Sequence, residues 1–292
     1  GPRWYWATAD LPQSKTNLRT ISNATYAIVD VSAGGSRVLG QVDAISAPEL
    51  VYPEAIYLHQ AESYVVRELD PQARLARVER FDADYYTQPI LASSLRVTRP
   101  LLERPLQGGS CGYGDAVVRW ATVAFKKIRF YTMEVIGQTA LDLPAQEINT
   151  SAVWLLPPEE ALRAVLKAGL RPSEALAGVR NLLTVMLPVL AMSDRFDVGG
   201  VSDSTQLGQP ALFLYDRFEG GVGYARRGYE CAERLLAMVA ELLAGCPCEE
   251  GCPACVGPPN LRVAIHHDPD LYRQYEIPDK AATRVLLDAW LR

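Results

Sequence analysis

The sequence predicts an α+β protein: a β-rich N-terminal lobe, a meander or small barrel, then a mixed, helix-rich C-terminal lobe clipped by four cysteines. Three observations carry this. β-branched and alternating runs fill the first hundred residues, helical periodicity takes over after residue 155, and four of the six cysteines crowd into residues 246–255. The 292 residues are 49% hydrophobic and 22% charged, which allows a sizeable core and excludes a disordered, collagen-like or coiled-coil chain.

Gly1-Pro2 comes first. With no initiator Met it has the form of a cleaved-tag scar, so the chain reads as an excised part of a longer protein. The β-rich lobe is assigned to residues 3–110. Residues 25–31 are β-branched and aromatic, 33–36 turn, and 37–42 return. Residues 55–59 and 63–69 flank a turn at Gln60-Ala61-Glu62. Residues 70–73 turn again, and 75–81 alternate, with Arg74, Arg77 and Arg80 on the wet side. Residues 99–114, rich in Pro and Gly, read as a loop and domain boundary. The mixed lobe takes residues 111–292. Residues 116–131 are two strands or one long bent strand. Pro157-Pro158-Glu159-Glu160 opens a helix that Gly169 can end. Ser173 is a candidate N-cap for the next helix, with Leu176, Val179, Leu182, Leu183, Met186, Leu187 and Leu190 at helical spacing and Pro188 as a kink or early stop. Residues 211–215 form a short buried strand, 223–243 one long helix stopped by Gly245, and Asp279 caps a last helix through Trp290.

Lys plus Arg is 29 and Asp plus Glu is 34, a net charge of −5, so the chain lacks the footprint of a protein that is basic throughout. The longest apolar run, residues 182–192, is broken by Thr184 and Pro188 and falls short of the roughly 20 residues of a membrane span. Cys246, Cys248, Cys252 and Cys255 form C-x-C-x3-C-x2-C. Two close thiol pairs on turns shaped by Pro247, Gly251 and Pro253 suit a tetrahedral structural Zn2+. Two disulfides, a redox pair or an iron–sulfur cluster are the alternatives, and His266 or His267 could replace one ligand. The crowding favours a reducing compartment, and the expected location is cytoplasmic.

Asp216-Arg-Phe-Glu-Gly-Gly-Val-Gly223 lies between a strand and a helix. It is either a phosphate-binding loop or a tight turn, and it lacks the Lys-Ser/Thr of a P-loop. Phe125-Lys-Lys-Ile-Arg-Phe130 interleaves cations with aromatics. Lys126, Lys127 and Arg129 are therefore candidate DNA contacts, as more weakly are Arg226 and Arg227. On an alternating strand Lys127 and Arg129 share one face. Asp194, Asp197 and Asp203 surround a Gly199-Gly200 turn. Asp194, Asp203, Glu134 and Glu147 are the acids a metal-dependent nuclease would need, although capping and turn chemistry explain them as well. No catalytic motif is present, so catalytic residues are none, and no nucleotide motif is present for ATP turnover by this chain alone.

Residues 45–70, Asp84-Tyr-Tyr-Thr87, Phe125–Phe130, the Tyr215-Asp216…Gly223 turn and Cys246…Cys255 together resemble, in the same order, the C-terminal region of DEAD/DEAH-box DNA helicases of the mitomycin-repair-factor and Hrq type. The resemblance runs from about Asn23 to Lys280. Ala61 stands where the family pattern leads one to expect Gly, and residues 261–277 look like a local insertion. It implies an accessory zinc module of a superfamily 2, ATP-dependent 3′-to-5′ helicase acting in DNA repair. The four cysteines match the zinc ligands, ATP and Mg2+ belong to an N-terminal RecA-like motor, and the partners are single-stranded DNA and that motor, with no membrane. The rival readings are a nuclease-like domain and a partner-binding module of a phage-defence system.

Overall fold

The computed structural model describes residues 24–292 except 33, 205, 258, 259, 262–274 and 277. Gly1-Pro2, His266 and His267 lie outside the described residues, as does most of the expected insertion. The chain divides into two compact units. One comprises the N-terminal part through Leu91 with Ala121–Gln146; the other comprises Ala92–Trp120 with Glu147–Arg292. The chain thus passes from one unit to the other inside strands, and not once at residue 110.

The first unit holds β1 (Thr25–Asp30), β2 (Arg37–Asp43), a short α1 (Ala47–Leu50), β3 (Ile56–His59), β4 (Glu62–Asp70) and β5 (Leu75–Arg80), with sheet order β2-β1-β5-β4-β3. β3, β4 and β5 form the expected meander, and β5 then pairs parallel with β1. Alternation puts Ile28, Tyr64, Val66, Ala76 and Val78 into a core with Val51, Tyr52 and Phe125. The β3–β4 turn has two residues, Gln60 and Ala61, at φ 50° and 65°. Glycine is ordinarily favoured at such positions, and here Ala61 takes the left-handed conformation.

The Pro/Gly-rich stretch 99–114 is not a loop. It is the turn end of a long hairpin, β6 (Tyr85–Leu106) and β7 (Gly109–Arg129), joined by Gln107 and Gly108 at φ 46° and 77°. Pro100 and Pro105 are accommodated because β6 is the outer strand of its sheet, where a missing N–H need not cost a ladder bond. The glycines serve close packing: a Cβ on Gly112 would lie 2.2 Å from the Trp154 ring. Residues 116–129 belong to the one long strand β7, the second of the two arrangements expected for 116–131. β8 (Val135–Ala140) pairs with its end, and β9 (Gln146–Leu156) is a buried strand to which the sequence reading assigned no element.

In the second unit the strands run β10-β11-β9-β7-β6, with β10 (Val198–Asp203) and β11 (Ala211–Asp216) antiparallel. The expected Gly199-Gly200 turn is instead strand. A side chain at Gly199 would strike the Tyr215 ring, and one at Gly200 would strike Thr184. The helices are α2 (Glu159–Lys167), α3 (Pro172–Ala191), α4 (Tyr224–Glu230), α5 (Ala232–Gly245) and α6 (Lys280–Trp290); Asn260–Leu261 and Tyr275–Glu276 pair as short strands β12 and β13. The N-cap of α3 lies two residues before the expected Ser173: Arg171 is the N-cap and Pro172 the first helical residue, where a ring without an N–H costs nothing. Pro188 falls in its last turn. α3 has the length and apolar content of a membrane span, yet Leu176, Val179, Leu182, Leu183 and Leu187 are buried in the core. The single helix expected over 223–243 is two, because Cys231 leaves the helical region at φ −119°, ψ 26°. Gly169 ends α2 in the left-handed region, and Asp279 Oδ1 caps α6 through Ala282 N–H at 2.6 Å.

Candidate metal centre

α5 ends at Gly245 and hands the chain directly to Cys246. Cys252 then begins one helical turn: its carbonyl accepts the Cys255 and Val256 N–H groups at 3.0 and 3.1 Å. This turn brings Cys252 and Cys255 back onto Cys246 and Cys248. Sulfur separations are 3.6 Å (246–248), 3.7 Å (246–252), 3.4 Å (248–255) and 3.8 Å (252–255), and all four sulfurs lie within 4.8 Å of one another. A disulfide needs about 2.05 Å. Four thiolates about 2.3 Å from one Zn2+ at tetrahedral angles stand about 3.8 Å apart, so the set fits a single metal ion. Among the described residues it is the one group of three or more His, Cys, Asp or Glu side chains whose donor atoms converge in this way.

The surroundings prepare the thiols. Burial pushes Cys248 up, but hydrogen bonds with Cys255, Cys246, Lys280 and Cys252 outweigh it and bring its pKa down to about 7. Burial, reinforced by the neighbouring sulfurs, pushes Cys255 the other way. Cys248 and Cys255 therefore lose their protons as a coupled pair. Sequence reading missed Lys280. Its buried ammonium donates to the Cys246 carbonyl at 2.8 Å, to the Cys248 carbonyl, and to Cys248 Sγ at 3.4 Å. A cation there offsets the excess negative charge of four thiolates on a divalent ion. Asn181 on α3 adds a second clasp, donating to the Val256 carbonyl at 2.8 Å.

The Gly-rich turn is a tight turn and not a vacant phosphate cradle. Asp216 is fully buried, and its carboxylate accepts the N–H groups of Val222, Gly223, Tyr224 and Ala225 at 2.7–3.2 Å. The backbone donors a phosphate would use at the start of α4 are thereby consumed.

The candidate DNA cations all have partners. Lys127 pairs with Glu54 at 2.8 Å, and that bond raises its pKa. Arg129 lies 3.8 Å from Asp84 and 3.6 Å from Glu134. Arg226 and Arg227 both face Glu230, at 3.1 and 3.7 Å, and Lys126 is half-buried and also engaged. The register shift opposite Lys127 and Ile128 puts its extra residue, Ile136, in β8, so β7 keeps its alternation, with Ile128 buried between Lys127 and Arg129. The nuclease acids do not assemble. Asp194 accepts the Phe196 N–H, Asp203 accepts the Gln206 N–H, and Glu134 faces Arg129. Glu147 joins none of them in a metal-binding group.

Comparison with known proteins places this centre. The MrfA Zn-binding domain family matches residues 179–256, which include all four cysteines. The chain is 37% identical over 261 residues to the ATP-dependent helicase YprA of Bacillus subtilis, covering 88% of this chain and 34% of that protein. It is 26% identical over 265 residues to the ATP-dependent helicase HRQ1 of Saccharomyces cerevisiae, covering 84% of this chain and 24% of that protein. The chain thus spans about a third or less of the length of these relatives. The crystal structure of DUF1998 helicase MrfA bound to DNA superposes with a TM-score of 0.57 at 33% identity, over 99% of this chain and 37% of that one. The sulfur cluster, the domain match and the likeness along nearly the whole chain agree: residues 179–256 match the MrfA Zn-binding domain, and the chain is similar to the corresponding region of MrfA- and Hrq-type helicases.

Proposed function

We propose that this chain is the zinc-bearing accessory module of an ATP-dependent DNA helicase, with one Zn2+ held by Cys246, Cys248, Cys252 and Cys255. The observation that carries the reading is the convergence of four thiols at tetrahedral spacing inside the matched zinc-binding domain. The metal's role is structural: four protein ligands leave no open position for substrate. It pins the end of α5 to the following turn and, through Lys280, to α6. The module holds or guides DNA, single-stranded in our reading, for a motor that binds ATP and Mg2+. DNA repair, 3′-to-5′ travel and a cytoplasmic location belong to the same proposal. Metal analysis of protein purified without chelator should find about one zinc per chain, and a Cys252→Ser/Cys255→Ser variant should lose it. Less than half an equivalent in the wild type would overturn the assignment.

A further inference from the structure

We propose that the tip of the β7–β8 hairpin is a nucleobase-stacking site for single-stranded nucleic acid, with Tyr131 as its platform. This rests on the DNA-module reading and names a contact within it. The strand singled out in the sequence is only the stalk: Phe125 is buried 5.2 Å from the Tyr52 ring, and Lys127 is tied to Glu54. Beyond it the chain presents large side chains to water. Tyr131 is 101% exposed and Met133 64%, and Val135 and Ile136 follow at 53% and 40%. Four such groups within six residues form a patch that a solvated turn has no reason to carry.

The backbone adds a second, independent observation. Tyr131 and Met133 both lie in the left-handed region, at φ 65° and 57°. Glycine or asparagine would sit there readily; a bulky side chain is a true outlier, and such strain collects at binding sites. The turn is nevertheless well tied. Thr132 N–H donates to the Phe130 carbonyl at 2.8 Å, Met133 N–H to Arg129 at 3.2 Å, and Arg129 N–H to Glu134 at 2.9 Å. The Phe130 ring lies 5.7 Å from Tyr86 and 6.4 Å from Tyr131, so the exposed ring extends an aromatic row. Every base offers a π-face to such a row. Arg129 beside it is 47% exposed, and its contacts with Asp84 and Glu134 are longer than hydrogen bonds, so it can turn to a phosphate. Because those acids flank the site, stacking carries the affinity and charge contributes little.

The test uses the whole chain and a fluorescein-labelled oligothymidylate of about fifteen residues, titrated by anisotropy across a salt series. Tyr131→Asn keeps the left-handed tip but removes the ring. It should bind at least about fivefold more weakly, with the slope of log K against log salt unchanged and no drop in Tm. Tyr131→Trp should bind as well as wild type, and a 5-iodouracil oligonucleotide should photocrosslink to Tyr131 in the wild type. Tyr131→Asn binding within about twofold of wild type would overturn the stacking site and leave the DNA reading standing. A wild-type chain that binds no oligonucleotide would overturn both.

Discussion

Asp216 and Lys280 are opposite charges withdrawn from water, each satisfied largely by backbone groups. The partners of Asp216 lie six to nine residues on, in the Gly-rich turn and the helix start after it, whereas those of Lys280 are remote. Lys280 reaches carbonyls 32 and 34 residues away, across a segment that looked like an insertion. The cysteine set was legible because a metal demands four soft ligands at short range, and that demand is written in spacing. The ammonium over it was not, because any Lys at a helix start reads as a solvated cation. Asp216 was read as part of a turn, and its carboxylate shows why the turn needs it. Asp216→Asn keeps the shape but sets an NH2 against backbone donors. It should cost on the order of 3 kcal/mol of unfolding free energy, measured in urea, where a neutral effect would show that the four N–H contacts carry no stability.

Elements were read well where periodicity was clean and poorly where Gly and Pro dominated. β4, β5 and α6 match their patterns, because a half-exposed strand and an amphipathic helix each leave a regular trace. The stretch 99–114 misleads because the same residues that break loops also suit a hairpin end, an outer strand and a close approach to Trp154. The α4–α5 break has no Gly or Pro at Cys231 to announce it. One contact shows what ties β6 to α5. Arg104 grips both Glu233 oxygens, donates to the Tyr229 carbonyl at 2.9 Å and lies over that ring. The Arg104 hydrogen bond holds the Glu233 carboxyl below its ordinary value. A depressed carboxylate adds stability above its unfolded pKa and loses it as pH falls through the folded one. Glu233→Gln should therefore destabilise by less than about 1 kcal/mol at neutral pH, since the pair is part-exposed, and the difference from wild type should shrink as pH falls below the ordinary carboxylate value and through the depressed folded one. A pH-independent difference in thermal unfolding would assign the effect to packing instead.

At the scale of the whole molecule, the four-thiol centre lies in one unit, and the other is built on its own aromatic and aliphatic core. Metal removal should therefore act unevenly. Stripping with a strong chelator should release amide protection in peptides covering 246–256 and the start of α6, while β1, β4 and β5 exchange as before. Uniform loss of protection would mean that the two cores stand or fall together. The outer strand β6 bears on a different matter, the chain's behaviour towards copies of itself. Twenty-two residues of backbone along a sheet margin are a template on which a second chain could lay its own strand. Pro100 and Pro105 interrupt the donor row, and Arg96, Arg99 and Glu103 stud the interval with charge. Gln206 takes up the Val97 N–H and the Leu95 carbonyl as well, so residues that seemed to mark a gap in the fold are ones that make that margin a poor template for copying.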